Sequence, residues 1–231
     1  MTERVVGTSS EERVPLSRER VLQAAVVIAD ASGLGALTMR SLAQALGVKP
    51  MSLYHHVANK TEILDAVVDV VFSEIELPAV GGEWRSEVRR RAMSARRVLR
   101  RHSWAIGLLE SRTTPGPATL RHHDAMLGTL RAAGFPVAVT AHAYALLDSY
   151  IYGFAVQEAA LPFDGPETVA AVAGSIRQHL AAGTYPHLAE LADEHILKPG
   201  YDFGDEFQFG LDLILEGLHR LIPVEGDGLR S

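Results

Sequence analysis

Between Leu37 and Leu64 the chain reads LTMRSLAQALGVKPMSLYHHVANKTEIL. Its polar side chains are of the kind that bind a polyanion. Read as a short helical hairpin, this stretch leaves Thr38, Arg40, Lys49, Pro50, Met51, Ser52, Tyr54, His55, His56 and Lys60 facing outward. Lys49 and Lys60 flank the stretch as cations. Thr38 and Lys60 open helices, where free backbone N–H groups also favour phosphate. Arg40 suits either a guanine edge or a phosphate, and Pro50, Met51, Ser52 and His55 are placed to meet base edges. Tyr54 and His56 suit hydrogen bonds to phosphate. In such an arrangement the first helix crosses the backbone and the second puts its N-terminal residues into the major groove. A merely solvated hairpin would need none of the accompanying features: Ala43 and Gly47 where helices come close, N-caps at the right offsets, and basic flanks.

The surrounding elements must hold that hairpin in place. Ser17 is the expected N-cap of the first helix, with Leu16 and Val21 spaced as a hydrophobic staple and Gly33 and Gly35 closing it. Thr38 caps the second helix, Gly47 supplies a turn that needs positive φ, and Pro50 sits near the start of the third. Leu42, Leu46, Val48, Leu53 and Val57 are the expected small core. Asn59 caps the fourth helix, with Glu62 completing a capping box. The domain boundary is expected at Pro78–Gly82 or inside the helix before it. Further helices are expected at 84–102, 104–110, 118–133, 137–161 and 205–221. Asp164 and Glu167 open another that stops near Gly183. The stretch 185–205 reads as irregular, with one short helix at 187–192. The predicted fold is all-α: a tail at 1–16, a helix-turn-helix three-helix domain at 17–77, a larger helical domain at 83–222, and a tail at 223–231.

At 231 residues and 47% hydrophobic content the chain can bury a substantial core, and it has no cysteine, which removes disulfides and thiol chemistry. No apolar run approaches a membrane span, and the first dozen residues lack the pattern of an export signal, so a cytoplasmic protein is expected. The net charge of −6 is unevenly spread. Residues 13–60 hold six Lys/Arg against two acids, residues 61–83 hold six acids and no base, and residues 84–101 hold eight Arg against one acid. From His102 onward seven bases face sixteen acids. A basic front end on an acidic body would hold a polyanion at one end and repel it from the other. The arginine-rich stretch at 84–101 reads as a solvated helical face, partly paired with the acidic segment before it. There is no Gly-rich phosphate loop, nucleophile elbow or His-x-x-x-His pair, and neither enzyme activity nor a cofactor or metal is expected.

The LAQ-LGV core, the SLY-HV recognition helix and the NK opening of the next helix resemble the DNA-binding domain of the tetracycline-repressor (TetR) family nearly residue for residue. The likeness is strong over 17–77 and weaker to the end, where FGLDLILEGL resembles the last helix of the subclass nearest the tetracycline repressors. It implies an all-helical homodimer that binds a double-stranded DNA operator through its N-terminal domain and a small-molecule effector through its C-terminal domain, with release of the operator on effector binding. A DNA-binding regulator or architectural protein without an effector is the alternative. The tetracycline-binding subclass presents a magnesium-bound drug to a histidine four residues before an arginine. Counting back from Arg112 reaches Leu108 here, and Gln157 stands where an acid is expected, so chelated tetracycline does not fit.

The C-terminal helix supports a dimer by itself. Phe207, Leu211, Ile214, Leu215 and Leu218 make one apolar stripe, and Phe209 and Leu213 add a second face. A helix apolar on two sides must be covered on two sides. Phe207, Gly210, Leu211, Ile214, Gly217 and Leu218, with the small residues Ala141, Ala145 and Ser149 of the 137–161 helix, are the expected dimerisation set of a four-helix, two-fold interface. Effector sites are mostly apolar with a few placed polar groups. The candidates are His102, Trp104, Arg112, His123, Met126, Tyr144, Asp148, Tyr152 and Gln157. The adjacent His122, His123 and Asp124 cannot all face one metal site.

Overall fold

The computed structural model describes residues 15–109, 115–161, 172 and 184–223, and among these there is helix, turn and loop but no strand. Helix α1 (Arg18–Ala36) begins where Ser17 Oγ accepts the Arg20 N–H at 3.2 Å, and it buries Val21, Leu22, Ala25, Val26 and Ala29. Gly33 takes φ 73° and interrupts the helix before it closes at Ala36. Thr38 caps α2 (Met39–Leu46) in a reciprocal box with Ser41, a partner that sequence reading had not assigned. Gly47, at φ 65°, ends α2, and α3 (Pro50–Leu53) starts on its proline. Helix α4 (Lys60–Ser73) is capped by Asn59, whose Oδ1 accepts the Glu62 N–H at 2.9 Å. Glu62 reaches back to the Ala58 N–H at 2.6 Å instead of closing the expected box on Asn59.

The chain divides into two compact units, Met1–Val67 and Val68–Ser231, and the division falls inside α4. In the second unit α5 (Trp84–Arg101) packs against α6 (Ser103–Leu109), α7 (Pro117–Ala132) and α8 (Val137–Ala160). Helix α8 also touches α6, α7 and α10 (Phe203–His219), because its buried residues Thr140, Ala143, Leu147, Ile151 and Phe154 recur at helical spacing. Trp84 at the head of α5 meets Phe135 edge-on, with ring centroids 5.0 Å apart.

Two joints in this unit depend on a missing Cβ. Asp69, on α4, caps α7: its carboxylate accepts the Ala118 N–H at 3.1 Å, the Thr119 N–H at 2.9 Å and the Thr119 hydroxyl at 3.1 Å. A Cβ on Gly116 would run into that carboxylate. Tyr150 on α8 stacks on Phe207 at 5.4 Å, and its hydroxyl donates to the carbonyls of Phe207 (2.9 Å) and Glu206 (3.2 Å) on α10. The ring occupies the space a Gly210 side chain would need.

The region 185–205 is more ordered than its sequence suggests. Helix α9 (Pro186–Leu191) runs into a π-helical turn (Ala192–Ile196), one residue offset from the expected 187–192 helix. Asp202 then caps α10 through the Gly204 N–H at 2.7 Å. Most of both expected tails and the expected helix from Asp164 to Gly183 lie outside the described residues. No helix among the described residues is long and apolar enough to cross a membrane.

Replacing Asp69 with Ala leaves the first turn of α7 uncapped. Urea unfolding at fixed protein concentration is expected to show a loss of about 0.5–2 kcal/mol, the range for removing a helix cap.

Candidate functional site

In the first unit, the α2–α3 hairpin closes over the buried residues Leu37, Leu42, Ala43, Leu53 and Val57. The positive-φ Gly47 lets the Val48 N–H return to the Ala43 carbonyl at 3.0 Å, which turns the chain sharply into α3. With the core facing in, Thr38, Arg40, Lys49, Pro50, Met51, Tyr54, His55 and Lys60 are exposed, and Ser52 and His56 are half-buried. Met51 is 72% exposed, a large apolar side chain for which the protomer provides no cover. The hairpin is fastened to α1 by Arg18, which donates to the His56 carbonyl at 3.1 Å and pairs with the Glu62 carboxylate. The Ala58 N–H, followed by Arg18, holds the Glu62 carboxyl below the usual carboxylate range, so this tie persists at neutral pH.

In the second unit the arginine-rich helix sorts its guanidinium groups by phase. Arg90 and Arg97 meet Glu76 at 2.9 and 2.8 Å, Arg101 meets Glu74, and Arg85 and Arg89 meet Glu216 and Asp212 on α10. These half-exposed pairs agree with a solvated face partly matched to the acidic segment, and each contributes little stability. Arg91 and Arg96 break the expectation. Arg96 grips Glu158 through Nε (3.1 Å) and Nη2 (2.6 Å), with the rings of Phe154 and Phe207 both 5.4 Å from its guanidinium carbon. Arg91 is 1% exposed, and its Nη1 donates to Asp148 at 2.7 Å.

Around Arg91 lies a polar cluster in which His122 and Phe72 are buried and Asp148, Tyr144, Tyr152 and His123 are half-buried. Asp148, Tyr144 and Tyr152 come from α8, His122 and His123 from α7, and Phe72 from α4. The His123 ring stands 5.5 Å from Tyr144, and Phe72 lies 5.9 and 6.3 Å from His122 and His123. Burial opposes the charge on Arg91, but Asp148, together with Tyr152 and Tyr144, more than offsets it. Burial lowers both histidines: His122 is pushed down further by Arg91, while Asp148 partly offsets the shift at His123. Burial and the hydrogen-bonded Asp148 keep the Tyr144 phenol protonated. Among the described residues, the buried side-chain polar atoms without a hydrogen-bond partner are Nε of Arg85, Nε and Nη2 of Arg91 and Nδ1 of His122.

Sequence reading named His123, Tyr144, Asp148 and Tyr152 and missed Arg91 and His122. The signal was present: Arg91 is in phase with Val88, Ala92, Ala95 and Leu99 on the apolar stripe of α5. Met126 is fully buried, one turn along α7 from His122 and His123. Gln157 is exposed, not gathered into the cluster, because α8 turns that face outward. His102 is buried beside Trp104 and is held by Glu74 at 3.2 Å. Arg112 lies outside the described residues.

Residues 21–67 match the family described as "Bacterial regulatory proteins, tetR family", and residues 77–222 match "Tetracyclin repressor-like, C-terminal domain". The chain belongs to the TetR family. This TetR-family regulator is 36% identical to the HTH-type transcriptional repressor DrrR1 of Streptomyces coeruleorubidus, over 90% of this chain and 78% of that one. It is 28% identical to the class C tetracycline repressor protein of Escherichia coli, over 92% and 94%. It shares its fold with the Streptomyces coelicolor TetR family protein ActR in complex with actinorhodin: TM-score 0.76, 30% identity, 92% of this chain and 99% of that one. The ActR complex with (S)-DNPA gives a TM-score of 0.71, with 31% identity over 91% and 100%.

The outward faces of α8 and α10 differ in part from the expected dimerisation set. Phe207, Leu211 and Leu218 are buried in the protomer's own core, and Gly210 makes room for Tyr150 within the same chain. These four are therefore corrected: their inward phase on α10 already commits them. Ala141, Ala145, Ser149 and Gly217 are exposed and Ile214 is half-buried. Phe209 and Leu213, 67% and 60% exposed, carry the outward apolar face of α10.

Replacing Asp148 with Ala strands a fully buried guanidinium. A loss of about 3–5 kcal/mol is expected in urea unfolding, whereas exchanging both Arg91 and Asp148 for apolar residues of similar volume restores most of it.

Proposed function

We propose that this TetR-family regulator is a homodimeric repressor that binds a palindromic operator and leaves it when a small molecule occupies the cluster around Arg91. The observation that carries the reading is the pairing of two features in one chain: a basic hairpin with exposed polar side chains, and a polar cluster around a buried arginine with unused hydrogen-bonding atoms. Similarity to ActR, solved with actinorhodin and with (S)-DNPA, and to repressors such as DrrR1 supports an effector-controlled repressor.

On DNA, Thr38, Lys49, Tyr54, His56 and Lys60 hold phosphates, and Arg40 takes a phosphate or a guanine. Pro50, Met51, Ser52 and His55 face base edges, and the bare apolar side chain of Met51 suits a thymine methyl group. Phe209, Leu213, Gly217 and the small residues Ala141, Ala145 and Ser149 form the face that meets a second copy. An exposed apolar face of this kind is the usual mark of an association surface. Effector occupancy acts on α7 through His122 and His123. The first turn of α7 is tied to Asp69 on α4, the helix whose other end carries Lys60. An effector shifts the equilibrium only as far as it prefers the state that releases DNA.

The deciding experiment selects a binding site from randomised duplexes and measures affinity by fluorescence anisotropy. Affinity is expected to fall steeply with salt, and Tyr54→Ala and Lys60→Ala to weaken binding on all sequences alike. Changes at Met51 or His55 are expected to alter the selected sequence. Affinity that is flat in salt, or an unchanged selection at both positions, refutes the interface. In sedimentation, Phe209→Glu with Leu213→Glu is expected to convert a dimer to a monomer with its helical content retained. A dimer that survives both changes refutes this face.

A further inference from the structure

The side-on edge of a guanidinium, Nε with Nη2, presents two parallel N–H donors that match the two oxygens of a carboxylate. Helix α5 shows how this chain uses that edge. Arg96 gives it to Glu158, and Arg89 directs it at Asp212. Arg91 is the most buried arginine of the helix, yet its side-on edge has no partner, because Asp148 is met by Nη1 alone. Leaving such donors dry and unpaired is costly, and more so in a charged group. The histidine nearest in character has the same defect: His122 is 2% exposed, its ring is drawn toward the backbone carbonyls of Phe72 and Ile75, and Nδ1 is unpartnered. Phe72, His122, His123 and Tyr144 supply flat ring surface around these atoms.

We propose that the effector is an aromatic carboxylic acid, bound as the carboxylate through the Nε–Nη2 edge of Arg91, with His122 taking up a proton as it binds. The inference rests on the effector reading above and names the chemistry of that same site. Charge balance requires the proton. Arg91 and Asp148 already cancel, so a second carboxylate would leave one negative charge beside the buried face of the site. Nδ1 of His122 is buried without a partner, and with the neutral ring's proton on Nε2 the proton that restores neutrality forms an N–H bond at Nδ1. The charged and titratable groups around the two histidines are Arg91 from α5 and Asp148, Tyr144 and Tyr152 from α8. On α4, Asp69 is committed to capping α7. When the guanidinium is matched by an incoming carboxylate, its field no longer opposes protonation of His122.

The test is calorimetric titration of the full-length protein with 2-naphthoate and with 2-naphthamide, which has one oxygen and no charge. The acid is expected to bind at least about tenfold more tightly, as charge-assisted hydrogen bonds differ from neutral ones. Titration in buffers of different ionisation enthalpy is expected to show proton uptake with the acid and none with the amide. Arg91→Lys keeps the charge beside Asp148 but lacks the edge, and is expected to abolish the preference for the acid. An amide that binds the unaltered protein as well as the acid does overturns the proposal, as does failure of the acid to bind at millimolar concentration. Binding of the acid without proton uptake overturns the role of His122. Operator affinity, measured in parallel, separates these outcomes from failure of the repressor reading: that reading stands if the duplex is bound tightly and released by an uncharged compound.

Discussion

The second unit is organised around a guanidinium that has no access to water. Arg91 lies on the apolar stripe of α5, and the protein tolerates it there because Asp148 of α8 comes within 2.7 Å. A buried charge without its counter-ion costs several kcal/mol, so α5 and α8 are restricted to placements that keep the pair together. Helix α8 then serves as the central element, touching α5, α6, α7 and α10. Burial first, and then the charge of Arg91, lowers His122 and His123, while burial and then Asp148 raise the Tyr144 phenol. One buried ion pair therefore specifies both a packing and a chemical environment.

Helix α4 runs through both units by continuity of the chain. Its first turn carries Lys60 and the Glu62 that anchors Arg18. Further along, Asp69 caps α7 and Phe72 stands against the two histidines. A displacement of α7 has a direct hydrogen-bonded route to this helix. That route is physical, because three donors of α7 depend on one carboxylate of α4 for satisfaction. The glycine at 116 keeps the joint tight, since a Cβ there would displace the Asp69 carboxylate from the end of α7.

Ion pairs divide the arginines of α5 into two kinds with different consequences. Arg85, Arg89, Arg90, Arg97 and Arg101 pair at the surface, where solvent and salt screen them. Arg91 and Arg96 are taken inside, where each must be matched atom by atom. Arg96 is matched on both donors of its side-on edge by Glu158; Arg91 is not. That contrast within a single helix distinguishes a structural arginine from one whose bonding capacity is held open.

Local chemistry made the DNA-binding hairpin legible from the sequence alone. Ser17, Thr38 and Asn59 cap because their side chains reach backbone N–H groups three residues away, and Gly47 turns because it lacks a Cβ. Everything that decides such a feature lies within a few residues. The buried cluster depends on partners far along the chain: Arg91 falls in phase with the apolar stripe of α5, but its counter-ion Asp148 is 57 residues away and nothing near Arg91 points to it. The same distance effect explains the corrected dimer set. Phe207 and Phe209 look alike in sequence, and Gly210 looks available to a second subunit, until Tyr150 of α8 stacks on Phe207 and occupies the space beside Gly210. The sequence by itself determined the helices, their caps and the exposed basic hairpin. Only the tertiary structure decided which arginine was buried and which face of α10 was left bare, because those depend on which helices meet.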